Sequence, residues 1–539
     1  MTFLPIDTQF VSRLGVACAA QLPEFLPKQR WFGSKARQIQ SVHLAGCIPI
    51  RMSQAVALFT LARVEFAEGP GETYVLPLLP VEQTSLISPE SVALRIANPE
   101  AASEILLIDA LSNQDFLSVI LDSIQGSVSH SGVWGQLQAT AEIAFRAHDL
   151  GPATNLLPRV MKGEQSNTSI VYGDQLILKC FRRAEEGINP DLEMGHFLTA
   201  IAGFPNAPPV YGSLNYLTQE GKSMTLGILQ KFVPCRGDAW RFTLEFLDDF
   251  LARALSHEKG RRTSAVQNSS AAVENNLPGD LLNRFEKHLQ LIGLLGKRTA
   301  ELHLALASSG SDPAFFPEPF TSEFREALSR SFHDLAVRNF ELLRLKTHDL
   351  PESLRDQAKD VLKLEDSVLL ALHSGLEKDI VALRTRVHGD YHLGQVLFTG
   401  SDFFIIDFEG EPAKPLSERR KKRSPMQDVA GMLRSFHYAA RSALLAAGEN
   451  LAESPRFEPF VVQLAARWLS LATRQFLVEY RNTAGGASFL PASSTEFDGL
   501  LKLHLLEKAV YELGYELNNR PSWLAMPLAG IQEILAGRS

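Results

Sequence analysis

The sequence predicts an α+β chain, β-rich towards its N-terminus and mostly helical towards its C-terminus. Three observations predict this class. Short alternating or apolar segments, bounded by Gly, Pro and Asp, recur between residues 41 and 181, the pattern that strands and hairpins require. From Leu281 onward apolar residues recur at helical spacing, with Leu282, Phe285, Leu289 and Ile292 on one face. Within that helical region a single stretch, Arg386 to Glu409, abandons the helical period for a polar loop followed by two short apolar strands.

The chain has 539 residues, enough for two or three domains. Hydrophobic residues make up 45% and charged residues 21%, which fits a soluble globular protein with a sizeable core. A net charge of −8 argues against a nucleic-acid partner. The four cysteines are dispersed with no C-x-x-C pair, which suits a reducing compartment and argues against a zinc site. The opening MTFLPIDTQF has no basic region followed by an apolar run, and no apolar run is long enough to cross a bilayer. A cytoplasmic protein without a membrane partner is expected.

Three regions are expected: residues 1–90, 91–235 and 236–539. The first opens with a helix over Thr8–Ala20. Arg30-Trp31-Phe32-Gly33 follows, either an exposed functional loop or, as is commoner, a segment whose two rings anchor a small core. Strands are expected at Ser41–Ile50, Ala55–Phe66 and Glu72–Leu79, with Gly69-Pro70-Gly71 as a turn. The second region carries a strand at Glu104–Ile108, a helix over Ser112–Ile124, and strands Ser169–Tyr172 and Gln175–Phe181 around the Gly173-Asp174 turn. Asn189-Pro190-Asp191-Leu192-Glu193 opens a helix, with proline in its first turn. Thr225–Val233 reads as an edge strand. In the third region Glu258–Asp280, poor in apolar residues, reads as a surface loop. Helices follow over Leu281–Ala307 and from Ser322, and the rest is helical with a loop at Asn482–Ser493. The basic run Glu418–Arg423 reads as a solvated face, and its closeness to Asp407 also allows a phosphate-facing role.

The Arg386–Glu409 stretch carries the chemistry. It reads RVHGDYHLGQVLFTGSDFFIIDFE. Phosphoryl transfer from ATP needs one carboxylate to orient and deprotonate the attacking hydroxyl, and a second carboxylate with an amide oxygen to hold Mg2+. Asp390 fits the base, Gln395 the amide and Asp407 the metal carboxylate. A buried hairpin, Val396–Phe398 and Phe403–Ile406 joined at Thr399–Asp402, brings these groups together.

This arrangement resembles the catalytic and metal loops of protein-kinase-like phosphotransferases, in the aminoglycoside-kinase branch. His-Gly-Asp stands for His-Arg-Asp, Gln395 for Asn, and Asp-Phe-Glu for Asp-Phe-Gly. No Ala-Pro-Glu triplet follows Asp407, which argues against a protein substrate. The resemblance implies a bilobal fold and further roles. His388 joins Asp390 in the catalytic set, and Glu409 joins Gln395 and Asp407 at Mg2+. The loop Gly163–Thr168 lies over the ATP phosphates, through Ser166, Asn167 and Thr168. Lys179, set in an apolar strand between Leu178 and Cys180, pairs with the phosphates and with Glu193 on the next helix. Backbone groups from Gln230 to Val233 meet the adenine, and the segment after them is the hinge.

Near the C-terminus Lys508, Tyr511, Glu512 and Tyr515 share one helical face. Such a stripe lines a sugar site or marks an amphipathic surface helix. At this point the chain resembles the bacterial maltokinases. The shared motifs are QRWFGSK (Gln29–Lys35), EQSNTS (Glu164–Ser169), NPDLE (Asn189–Glu193), LLGKRTAELH (Leu294–His303), HGDYHLGQ (His388–Gln395), IIDFEGEP (Ile405–Pro412), RSPMQDVAGMLRSFHYAA (Arg423–Ala440) and EKAVYELGYELNNRP (Glu507–Pro521). The resemblance implies an N-terminal cap subdomain over residues 1–90 and ATP- and Mg2+-dependent phosphorylation of maltose to α-maltose 1-phosphate. It implies maltose contacts at Lys508, Tyr511 and Tyr515, and a functional association with trehalose synthase. Against that pattern, Glu258–Asp280 looks like an insertion. Two other acceptors share the same phosphate machinery: another sugar or amino sugar such as glucosamine, and an aminoglycoside. A non-catalytic nucleotide-binding module is the reading of a different class. It predicts loss of Asp390, Asp407 or Lys179, and all three are present.

Overall fold

A computed structural model describes the chain except residues 1–6, 82–87, 89–90, 98–103, 147–155, 162–166, 265–276, 309–311, 378, 453–454 and 538–539. The chain divides into two compact units, Met1–Ile201 with Pro208–Pro234, and Ala202–Ala207 with Cys235–Ser539.

The first unit opens with a helix over Thr8–Phe25, capped by the Asp7 carboxylate, which accepts from the Phe10 amide at 2.8 Å. Strands follow as β1 (Ile39–Arg51), β2 (Val56–Phe66), β3 (Glu72–Val81), β4 (Val92–Ala97) and β5 (Glu104–Asp109). They form an antiparallel sheet in the order β1-β2-β3-β5-β4, so the sheet continues past residue 90. Phe10, Leu14 and Leu22 of the helix pack on one face of it, against Val42, Leu58, Val64 and Leu94. Phe32 is buried in this core with its ring 4.9 Å from that of Tyr74, and Trp31 lies under the Arg182 guanidinium. The Arg-Trp-Phe-Gly segment is thus an anchor of the small core.

The second sheet uses β6 (Ser129–Ser131), β7 (Gly135–Ala141), β8 (Pro158–Val160), β9 (Asn167–Tyr172), β10 (Leu176–Phe181), β12 (Val210–Thr218) and β13 (Ser223–Lys231), while β11 (Arg183–Ala184) pairs with β3. Its order is β6-β7-β12-β13-β10-β9-β8. The strand expected at an edge, Thr225–Val233, is therefore β13 in the middle of the sheet. It is paired on both sides, Lys179 with Ile228 and Ser213 with Ile228. The Gln114–Gln125 helix packs Phe116, Ile120 and Ile124 into the core shared with Leu137, Tyr172 and Leu178.

The second unit is helical apart from short strand pairs. Its longest helices are Ala239–Ser264, Gly279–Leu306, Ser322–Lys346, Met426–Ala452, Glu458–Ala484 and Ser494–Asn519. The expected loop from Glu258 is helix as far as Ser264. The turns there keep one face inward, with Ala254, Leu255 and Glu258 buried. Residues 265–276 of that loop lie outside the described residues. The expected loop from Asn482 starts only after Ala484, where Gly485 ends the helix. The predicted hairpin forms as Val396–Phe398 paired with Phe403–Ile405. Among the described residues no helix is long and apolar enough to cross a membrane.

Phe32 tests the small core of the first unit. Phe32→Ala should cost about 3–5 kcal/mol, because it removes a fully buried ring and leaves a cavity beside Tyr74. Chemical denaturation followed by tryptophan fluorescence measures this. A cost below about 1 kcal/mol would mean that the segment is not part of the core.

Candidate active site

In the first unit the apolar β10 carries Lys179. Its side chain is 13% exposed and pairs with Asp191, itself 1% exposed, at 3.1 Å. Asp191 sits in the first turn of the Pro190–His196 helix. Asn189 caps that turn by accepting the Asp191 amide at 2.8 Å. The sequence led us to expect Glu193 beside Lys179; the structure also pairs Asp191, two residues earlier on the same helix, with that lysine. Asn167 and Thr168 open β9, and the Thr168 hydroxyl accepts from Arg182 Nε at 2.8 Å. Ser166 and most of its loop lie outside the described residues. Gln230 lies within the ladder, opposite Ile177 and Val210, and Val233 follows the end of β13.

In the second unit the His388-Gly389-Asp390 loop hangs on one buried carboxylate. Asp428, 1% exposed near the start of the Met426–Ala452 helix, accepts the His388 amide at 2.7 Å and the Gly389 amide at 2.9 Å. His303 Nε2 lies 3.2 Å from the same carboxylate, and Tyr480 bonds the other ring nitrogen at 2.8 Å. Two successive amides converge on one carboxylate because Gly389 adopts φ +84°, which other residues rarely do. Burial acts to raise the Asp428 pKa. The bond and charge of His303, with the Gly389 amide, outweigh burial and hold it below its ordinary value.

His388 was expected in the catalytic set. Its side chain is buried, bonds the Ile406 carbonyl through Nε2 at 2.9 Å, and packs between the rings of Tyr391 and Phe408. The ring is thereby packed into the base of the loop. Asp390 is half-buried with the Lys508 ammonium 3.6 Å away. A small cavity opens beside the Gly389–Tyr391 backbone, lined by Glu411, Lys414, Gln427, Glu507, Lys508 and Tyr511. Burial raises the Tyr511 hydroxyl well above its ordinary value, as do the charge and hydrogen bond of Glu411. Tyr515 is 43% exposed, its ring 6.4 Å from that of Tyr511. Lys508, Tyr511 and Tyr515 thus come together, with Lys508 also 4.9 Å from the Tyr511 ring centre. Glu512 does not join them. It is buried and takes the Arg434 guanidinium, with Nη2 at 2.6 Å and Nε at 2.9 Å.

The hairpin sets the remaining carboxylates. Val396 pairs with Ile405, and the Ile406 amide bonds the Gln395 carbonyl at 3.0 Å, so Gln395 and Asp407 flank the open end of the hairpin. Asp407 has φ +67°, and its carboxylate lies within 4.8 Å of that of Glu409. An amide oxygen and two carboxylates are hard oxygen donors, the set that suits Mg2+.

The residues that sequence reasoning missed are Asp191, Asp428 and the cavity group Glu411, Lys414, Gln427 and Glu507. One signal was available: Asp428 is an acidic residue directly before the apolar run Val429–Leu433, where an unpartnered carboxylate would be costly.

Comparison with known proteins agrees with this architecture. Residues 25–117 match the family described as the maltokinase N-terminal cap domain, which bears out the resemblance carried there by QRWFGSK. A glucosamine kinase of Streptacidiphilus jiangxiensis is 24% identical over 379 residues, covering 70% of this chain and 73% of that protein. A second, from Mycolicibacterium smegmatis, is 23% identical over 377 residues, 69% of this chain and 78% of that protein. The solved structure of a glucosamine kinase in complex with glucosamine, ADP and inorganic phosphate covers 97% of this chain and 99% of its own, with a TM-score of 0.59 and 17% identity. This likeness is one of fold, and it bears out the kinase-like α+β class.

Asp428 gives a stability test with a sign. Asp428→Asn should cost about 3–5 kcal/mol, because it leaves buried donors facing an amide that carries no charge. The folded pKa is depressed, so the carboxylate's contribution is complete above the unfolded value near 3.8 and is lost as pH falls through the folded value. Urea titrations between pH 2 and 7 should show that acid limb in the parent and a shallower one in the variant. Equal limbs would remove Asp428 as the anchor.

Proposed function

We propose that the chain is an ATP-dependent sugar kinase, that Asp390 is its base, and that its acceptor is maltose, phosphorylated at the anomeric hydroxyl. The observation that carries this is the 3.6 Å approach of Lys508 to Asp390. It joins the catalytic loop to the helix whose Lys508, Tyr511 and Tyr515 match maltose-contacting positions in the family. The cap-domain match over residues 25–117 supports the same acceptor.

In this mechanism Lys508 and the tyrosine rings seat the disaccharide, with one pyranose face on an aromatic ring. Asp390 orients the anomeric hydroxyl and takes its proton as oxygen attacks the γ-phosphorus; ADP leaves on the opposite side. Lys179, oriented by Asp191, pairs with the phosphates. Gln395 and Asp407, with Glu409 beside Asp407, would hold Mg2+. The ion supplies neutralisation of phosphate charge. A second reading, phosphorylation of an amino sugar, is favoured by the cavity's Glu411 and Glu507, which suit an ammonium group, and by the two glucosamine kinase relatives. The maltose reading also implies a functional association with trehalose synthase.

The purified protein with ATP and Mg2+ should be offered maltose, glucose, glucosamine, trehalose and kanamycin, with products identified by phosphorus NMR. An anomeric phosphate on maltose is the expected result. Phosphorylation of glucosamine in place of maltose would replace the acceptor but keep the kinase. No turnover with any acceptor would overturn the kinase. Asp390→Asn should lower kcat about 10³-fold, within the range for loss of a general base, with ATP affinity kept. Asp191→Asn should weaken ATP binding more than Glu193→Gln does.

A further inference from the structure

We propose that the N-terminal sheet takes part in nucleotide binding, with Arg182 as the positioning residue that ties it to the strand of Lys179. The inference rests on the kinase reading and gives the QRWFGSK segment (Gln29–Lys35) a role in it. The chain of β10 runs on into the first sheet. One residue after Phe181 it becomes β11, where Arg183 pairs with Tyr74 and Ala184 with Thr73. The Arg182 carbonyl accepts the Val75 amide at 2.8 Å between the two. Lys179 thus stands only three residues from this attachment.

Arg182 is buried, and its guanidinium meets groups from three places. Its central carbon lies 4.9 Å from the Trp31 ring centre. The Asp109 carboxylate, at the end of β5, takes Nη2. Nε donates to the Thr168 hydroxyl at 2.8 Å. Trp31 and Asp109 both fall within the cap-domain match over residues 25–117, whereas Thr168 belongs to β9. Arg183 repeats the link. It reaches Glu72 at 3.3 Å, and the same carboxylate takes the Ser34 hydroxyl at 2.9 Å and Arg37 at 3.3 Å.

The place of this link bears on the nucleotide. The ladder between β9 and β10 runs from Tyr172 opposite Leu176 to Asn167 opposite Phe181. Asn167 and Thr168, expected at the phosphates, are therefore in its end pairs, and element ends fray where nothing ties them. Arg182 ties this one. A cation–π contact and a charge-assisted hydrogen bond both strengthen when taken out of water. Their loss would loosen the strand end, and with it the groups that meet the phosphates. Trp31 and Asp109 thus act on the nucleotide through Arg182, without touching it themselves.

The test is calorimetric titration of the full chain with ADP and Mg2+. Trp31→Leu and Asp109→Asn should each weaken binding about tenfold. Asparagine keeps the oxygen that accepts the Leu111 amide, so that variant removes the ion pair and little else. Trp31→Phe, which keeps an aromatic face, should recover most of the loss. Phe32→Leu loosens the same core beside Tyr74, so it should lower the thermal midpoint but keep ADP affinity. Unchanged affinity in Trp31→Leu and Asp109→Asn would overturn the inference alone and leave the kinase reading standing. Equal weakening by Phe32→Leu would also overturn it, since general loosening would then be the cause. A parent chain that binds no ADP would overturn the kinase reading, and this inference with it.

Discussion

The geometry of the second unit depends on one buried carboxylate. Asp428 collects the amides of two successive residues, and this works only because Gly389 bends through a left-handed conformation. A side chain at that position would be strained and would also meet Gly410 Cα at 3.4 Å, so the segment after Asp407 closes the same space. An isolated buried carboxylate would neutralise itself by taking a proton. Here His303 prevents that and is itself held by Tyr480, so that groups from three distant stretches of the chain fix one loop. The aim of Asp390 follows from that loop.

The Ser494–Asn519 helix shows how one element serves both core and cavity. Taking Lys508 as the reference, Tyr511 and Tyr515 lie about 60° and 20° to one side, while Glu512 and Glu516 lie about 40° and 80° to the other. The glutamate side turns into the unit, where Arg434 holds Glu512, and Tyr438 and Arg520 hold Glu516. The tyrosine side faces the cavity or solvent. Sequence spacing alone groups Glu512 with the tyrosines. Only the position of Arg434, on another helix, separates them.

The same distinction explains what was legible in the sequence. The hairpin that sets Gln395 beside Asp407 is contiguous, and its two apolar strands and its turn are all written within Val396–Ile406. Strands β1, β2, β3 and β5 were legible for the same reason: each is one contiguous, mostly apolar run. What the sequence did not carry was partner choice. Whether β13 is an edge or a centre depends on β12 and β10 flanking it. That Asp191 pairs with Lys179 depends on the phase of a short helix against a strand. The helix through Glu258 was misread because its polar residues dominate the composition, while a narrow inward face of Ala254, Leu255 and Glu258 holds it.

Charge balance bears on the acceptor. Around Asp390 the cavity sets Glu411 and Glu507 against Lys414 and Lys508. Burial raises the Glu507 pKa, partly countered by Lys414 and Lys508. The Lys508 pKa rises even though burial opposes it, because Asp390, Glu411, Glu512 and Glu507 surround it. Such a mixed lining serves hydroxyl groups, which both donate and accept, better than it serves a polycation, which needs unpaired carboxylates in excess. A single ammonium group is a closer case, because one carboxylate is enough to hold it. In the proposed reaction the acceptor would depend on whether Glu411 stays bonded to the Tyr511 hydroxyl or turns to the incoming sugar, a choice made by one hydrogen bond on a helix otherwise fixed by its buried glutamates.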